Sequence, residues 1–205
     1  MSTLISAYVA GLMLSASLIV AIGAQNAFVL GQGLRRDHTL TTAAVCSACD
    51  ALLIGIGVAG VGMALSLHPA LSRLLAALGG VFVIVYGVLA ARRAISASDE
   101  ALQGGGAVRG RRAVVGAALA VSLLNPHAYL DAMLLIGGFA AQFPAAARPA
   151  FAAGAVSASV IWFFGLGLGA AALSRSLATP AVWRVVHAAT AVMMIGLGLR
   201  LLHSI

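Results

Sequence analysis

Six apolar runs, roughly residues 4–30, 39–67, 71–91, 113–139, 149–173 and 181–202, take up nearly the whole chain, and each reaches the ~20 residues that a helix needs to cross about 30 Å of hydrocarbon. In lipid every backbone N–H and C=O must find a partner inside the protein, which leaves only helices or closed barrels. The runs lack the period-two alternation of a barrel strand. The expected fold is therefore an all-α integral membrane protein. With 62% of residues hydrophobic and 8% charged, and a mean hydropathy of +1.07, no window remains for a soluble domain. The first run is expected to stay in the mature chain, because no basic residue precedes it and no small-residue cleavage site closes a short apolar core.

The net charge of +7 would suggest nucleic acid in a soluble protein. Here its placement gives another reason. Arg35 and Arg36 follow the first run, Arg92, Arg93, Arg109, Arg111 and Arg112 lie between the third and fourth, and Arg175 and Arg184 bracket the fifth connection. Arg73, Arg148 and Arg200 occupy the alternate connections and ends. Basic residues concentrate on the cytoplasmic side of a membrane protein, so this distribution orients a six-span chain with both termini outside. If the first run turned back near Gly23 as a re-entrant hairpin, only the N-terminus would change sides.

The stretch RRAISASDEALQGGGAVRGRR, Arg92 to Arg112, reads as a flexible cytoplasmic linker. It separates residues 1–91, with three apolar runs, from residues 113–205, with three more. An odd number of spans in each half requires the halves to be inverted, so about six transmembrane helices are expected as two inverted three-helix repeats. Each half opens on an interrupted helix. IGAQNAFVLGQGLRRDH, Ile22 to His38, breaks the first run at Gly23, Gln25 and Asn26, and LLNPHAYLDAMLLIGG, Leu123 to Gly138, breaks the fourth at Asn125 and Pro126. Broken or re-entrant helices at corresponding positions of two halves mark a transporter binding site. Taken singly, Pro126 is also explained as a kink, and Gln25 and Asn26 as bonds to neighbouring helices.

Two acids sit inside apolar runs: Asp50 in CSACDALLIGIG and Asp131 in YLDAMLLIGG. An ionised Asp at a helix centre costs about 2.5 to 3.5 kcal/mol, and the chain has no lysine to neutralise it. Either each acid is protonated and hydrogen-bonded to a neighbour such as Asn26 or Asn125, or the missing cation is the substrate. In the second case the amides of Gln25, Asn26 and Asn125, with the N–H groups of half-helices starting there, would receive the substrate's carboxylate. His127 precedes Asp131 by four residues and would serve as a proton relay, or equally as a partner for carbonyls freed beside Pro126. Cys46 and Cys49 form a CxxC inside an apolar helix, where small-residue packing is the commoner cause and redox or metal chemistry the minor alternative. No motif asks for a cofactor or a resident metal.

At these residues the sequence resembles the LysE/ArgO exporters of basic amino acids. GAQNAFVLGQGLRRDH is similar to that family's N-terminal signature and NPHAYLD to its central one, and the length, segment count and mid-chain linker agree. Ala24 departs from the pattern, standing where many members carry proline. The resemblance implies outward transport of L-arginine or L-lysine across a bacterial inner membrane, with Asp50 and Asp131 as the intramembrane acids and Asn26, Asn125 and Pro126 as helix-breaking positions. Alternatives are export of a neutral amino acid or divalent metal, a membrane thiol-redox carrier, and a non-catalytic subunit whose acids bind a partner protein; a homo-oligomer is compatible with all of them. Proton antiport is expected for a cationic substrate. Moving one positive charge outward costs about 2.3 kcal/mol per 100 mV, and exchange for a proton cancels it. Asp131, with His127, is then the expected proton carrier and Asp50 the substrate anchor.

Overall fold

The computed structural model describes residues 2–20, 23–60, 110–124, 126–177 and 180–203, with short pieces between 77 and 95. Most of the third run and of the 92–112 linker, and Asn125, fall outside the described residues. Among the described residues there are helices and no strands. They are α1 (Ser2–Ile19), α2 (Ala24–Arg35), α3 (Thr39–Val58), α4 (Arg111–Leu123), α5 (Pro126–Tyr129), a π-helix (Leu130–Ile136), α6 (Gly137–Ala140), a 3₁₀ turn (Ala145–Ala147), α7 (Arg148–Leu177) and α8 (Pro180–His203). Three helical stretches among them, Ser2–Ile19, Thr39–Val58 and Ala145–Ser174, are long and apolar enough to cross a membrane.

Large apolar side chains face outward, while polar ones are buried among apolar neighbours inside. Ile5, Met13, Ile161 and Val192 are exposed, while Gln25, Asn26, Thr42, Ser122 and Ser159 are buried. Water would not tolerate such a surface, whereas lipid requires it.

The thirty-residue α7 is the axis of the bundle. Beside its start, a Cβ on Gly11 would overlap the Phe151 carbonyl, and one on Gly154 would overlap that of Tyr8. Only glycines permit so close a crossing. Further along, Trp162 bonds Asn26 at 3.0 Å. A Cβ on Gly33 would meet Gly167 and Ala170, and Arg36 Nε donates to Ala171 O at 3.0 Å and Ser174 Oγ at 2.7 Å. Contacts therefore advance steadily along α7 from α1 through α2. The first run does not fold back at its break; it crosses beside α7 and parallel to it.

The break itself differs from the sequence expectation. α1 ends at Ile19 and α2 begins at Ala24, so Gln25 and Asn26 stand in the first turn of α2 rather than before it. Gly23 is extended, with φ −106° and ψ −174°, and provides no side-chain cap. Asn26 Nδ2 instead donates to Ile19 O at 2.7 Å, satisfying a carbonyl at the open end of α1.

The chain turns at Arg36 and His38, both left-handed, with Asp37 N–H donating to Gln32 O at 3.0 Å and Arg36 N–H to Gly33 O at 2.9 Å. α3 then returns antiparallel to α7: Thr39 lies against Gly167, Asp50 against Ser159, and Leu53 and Ile54 join Phe151 in one apolar cluster. The fourth run follows α3 in the same direction. Ser122 meets Cys46, and a Cβ on Gly137 would overlap Gly57. It too is broken. α4 ends at Leu123, α5 starts at Pro126, where a missing N–H costs nothing, and the helix then passes into π geometry. The two broken runs cross in opposite directions, as do α3 and α7.

Candidate substrate-binding site

The two broken runs border one cavity of ≈ 80 Å³, the first at its break and the second just past its own. α1 and the break contribute Ser15, Ile19 and Gly23, α2 contributes Gln25 and Asn26, α3 contributes Asp50, and the π-helix contributes Asp131. Five of the residues singled out in the sequence, Gly23, Gln25, Asn26, Asp50 and Asp131, thus line the same space. Asn125 lies outside the described residues. Pro126 and His127 are placed by their backbone at the start of α5, one short helix before Asp131.

Asp50 is partly exposed to the cavity and held at both oxygens. Gln25 Nε2 donates to Oδ1 at 3.2 Å, and Ser159 Oγ donates to Oδ2 at 2.8 Å. Neither donor carries charge, so the pair orients the carboxylate without neutralising it. The neighbours expected for it were Asn26 or Asn125; Asn26 is engaged elsewhere, because Gln25 is the amide of α2 that faces α3. Asn26 Nδ2 is committed to Ile19 O, and its Oδ1 accepts from the Trp162 indole. Its side chain braces the helix break while lining the cavity. Ser159 and Trp162 fall at the middle of α7, so this polar layer sits at mid-depth of the longest span.

Ser159, Trp162 and the π-helix were not foreseen. A serine within a membrane run is commonplace in helix packing, so Ser159 carried little signal. Trp162 did carry one: tryptophans favour membrane interfaces, and one at the centre of a run needs a partner for its N–H. The π geometry depends on tertiary packing around Asp131 and has no local signature, although such irregular turns recur at functional sites.

Cys46 and Cys49 are free and buried. Ser122 Oγ donates to Cys46 Sγ at 3.7 Å.

A bundle of apolar helices, two of them interrupted, around a cavity with two carboxyl groups is an architecture suited to a helical membrane translocator. The chain belongs to the LysE type translocator family, which matches residues 16–205. Members of this family are multi-pass proteins of the bacterial inner membrane. The chain is 43% identical to a putative amino-acid transporter, YggA, of Aeromonas salmonicida over 93% of both chains. It is 36% identical to the lysine exporter LysE of Corynebacterium efficiens over 95% of this chain and 97% of that one. It is 39% identical to the arginine exporter protein ArgO of Photorhabdus laumondii over 93% and 92%. No solved structure matches it.

Proposed function

We propose that the chain exports basic L-amino acids, L-arginine or L-lysine or both, from the cytoplasm in exchange for protons. The observation that carries this reading is that Asp50 and Asp131, from different halves of the chain, line one cavity between the two broken runs. A carboxylate about 4 Å from a guanidinium or ammonium gains about 4 kcal/mol at an effective dielectric near 20, while a neutral side chain gains none of it. The names of two relatives, a lysine exporter and an arginine exporter, point the same way. The N–H groups in the first turn of α2, left without a side-chain cap by Gly23, suit the substrate's carboxylate.

Two inverted repeats, residues 1–91 and 113–205 around a cytoplasmic linker 92–112, account for the opposite directions of the two broken runs and of α3 and α7. A cavity of ≈ 80 Å³ has room for a few waters and not for an amino acid. Rocking of one repeat against the other opens it to each side in turn. Exchange for a proton offsets the electrical work of exporting a cation, about 2.3 kcal/mol per 100 mV. Asp131, with His127 near it in sequence, is the proton carrier in this reading, and Asp50, fixed by Gln25 and Ser159, is the substrate anchor.

The test is the purified chain in liposomes loaded with labelled arginine. An imposed inward proton gradient, with the membrane potential clamped, is expected to accelerate efflux. Efflux that ignores the gradient would remove the coupling, and absence of arginine efflux would remove the substrate.

A further inference from the structure

Three buried side-chain oxygens have no hydrogen-bond partner among the described residues: Gln32 Oε1, Thr42 Oγ1 and Ser47 Oγ. Two of them share a seam. The Gln25–Asp50 bond and the bond from Thr39 Oγ1 to Gln32 O at 3.3 Å set the register of the α2–α3 hairpin, which puts Gln32 opposite Thr42. Gln32 is 4% exposed and Thr42 0%. A buried oxygen without a partner is costly in an apolar interior, so each of these calls for a donor that the packed helices do not provide.

Thr42 is also the end of a ladder. Thr42, Cys46 and Asp50 follow one another at four-residue spacing along one ridge of α3. Between the ends, Cys46 Sγ accepts from Ser122 Oγ of α4 and stands beside the Gln25 side chain. Polar atoms therefore recur at every turn from Asp50 to Thr42, over about 12 Å of helix. The ladder runs toward the end of the hairpin that carries Arg35 and Arg36, the cytoplasmic end by the arginine distribution. Val29, Ala43, Ala118 and Phe163, all buried, pack around it.

We infer that this α2–α3–α4 seam is a proton route, made of Gln32, Thr42, Cys46 and Ser122 with intervening water, joining the cavity to the cytoplasmic face apart from the path of the amino acid. The inference rests on the proton-exchange reading and deepens it. When a carboxyl group in the cavity gives up its proton to water, one O–H bond breaks there and a carboxylate remains. Each hydroxyl, thiol and water of the route takes a proton on one side and releases one on the other, while Gln32 Oε1 only accepts from a water, and a hydrated proton emerges into the cytoplasm. Gln32 Oε1 and Thr42 Oγ1 would hold the waters at the exit. Among the described residues, the titratable groups around Asp50 are Asp131 from the π-helix and Cys46 and Cys49 from α3 itself, while α2 and α7 present the neutral Gln25 and Ser159.

The test compares two rates in liposomes for Thr42→Val and Gln32→Leu: arginine-for-arginine counterflow without a proton gradient, and net arginine efflux driven by an inward proton gradient. Thr42→Val keeps the shape and removes only an unpaired hydroxyl, so the fold is retained. Counterflow is expected within about twofold of wild type and gradient-driven efflux about tenfold slower or worse, a small share of what a positioned proton-transfer group contributes. Thr42→Ser should restore the driven rate. The route is overturned if both rates fall together, as loss of packing or of a substrate path would make them, or if neither changes. A wild-type protein whose counterflow is intact but whose efflux ignores the gradient overturns the exchange reading and the route with it. A responsive wild type with an indifferent Thr42→Val overturns the route alone.

Discussion

Gln25 and Asp50 are joined across the α2–α3 hairpin, the carboxamide nitrogen donating to Oδ1 at 3.2 Å. With Ser159 on the other oxygen, Asp50 is aimed into the cavity by two neutral donors, and its charge is left to act on whatever enters. This also explains an amide in the first turn of a membrane helix: Gln25 faces a carboxyl group and a cavity rather than lipid.

Replacing Asp50 or Asp131 by Asn keeps the shape of the site and removes the attraction of about 4 kcal/mol for a cationic side chain. Arginine export is expected to fall at least about a hundredfold in either variant, with normal membrane insertion. Initial efflux rates from loaded liposomes, normalised to reconstituted protein, provide the check. Near-normal rates in both would mean that the cavity is not the substrate site.

Ser159→Ala withdraws one donor from Asp50 and leaves Oδ2 without it, a loss of about 1.5–3 kcal/mol for a bond to a charged group. The KM for arginine is expected to rise about tenfold. An unchanged KM would show that Gln25 alone positions the carboxylate.

Trp162→Phe keeps an aromatic side chain but deletes the N–H from which Asn26 Oδ1 accepts, with part of the indole. The expected cost is about 1 kcal/mol within a membrane, which for a chain of this size lowers the melting temperature by about 2–4 °C. Thermal unfolding in detergent measures it. An unaltered melting temperature would mean that the indole does not brace the break.

The contact of Arg36 with Ser174 puts the first and fifth connections on one side. The steady advance of α1 and α2 along α7 puts residue 2 on the other. Cysteines introduced at Gly104 to Gly106 should resist impermeant reagents in intact cells, and one replacing Ser2 should react; Cys46 and Cys49, being buried, add little background. Labelling of the Gly104 to Gly106 positions from outside would reverse the orientation.

The membrane class, both interruptions and both acids were legible because each is a local violation of hydropathy: a glycine, an amide or a carboxyl group where lipid would want none of them. What each polar group does was less legible. Gln25 and Asn26 are adjacent in sequence, yet a turn of 100° per residue sends one to Asp50 and the other to Ile19 and Trp162. Only packing decides which. Ser159 was hidden for the same reason, since a hydroxyl in a membrane helix declares nothing until the helix opposite is known. The packing of the first run against α7 was hidden too, because the glycines that set it, Gly11 and Gly154, look like any other small residues in an apolar run.

The central claim is that two carboxyl groups select the positive charge of the substrate's side chain, and counterflow with an uncharged isostere tests it most directly. Liposomes containing the purified chain would be loaded with unlabelled arginine, lysine or citrulline, the last matching arginine in shape but lacking its charge, and uptake of labelled arginine followed. The account predicts rapid uptake against arginine, lysine or both, uptake at background level against citrulline, and loss of the difference in Asp50→Asn. Citrulline supporting counterflow as fast as arginine does would contradict it.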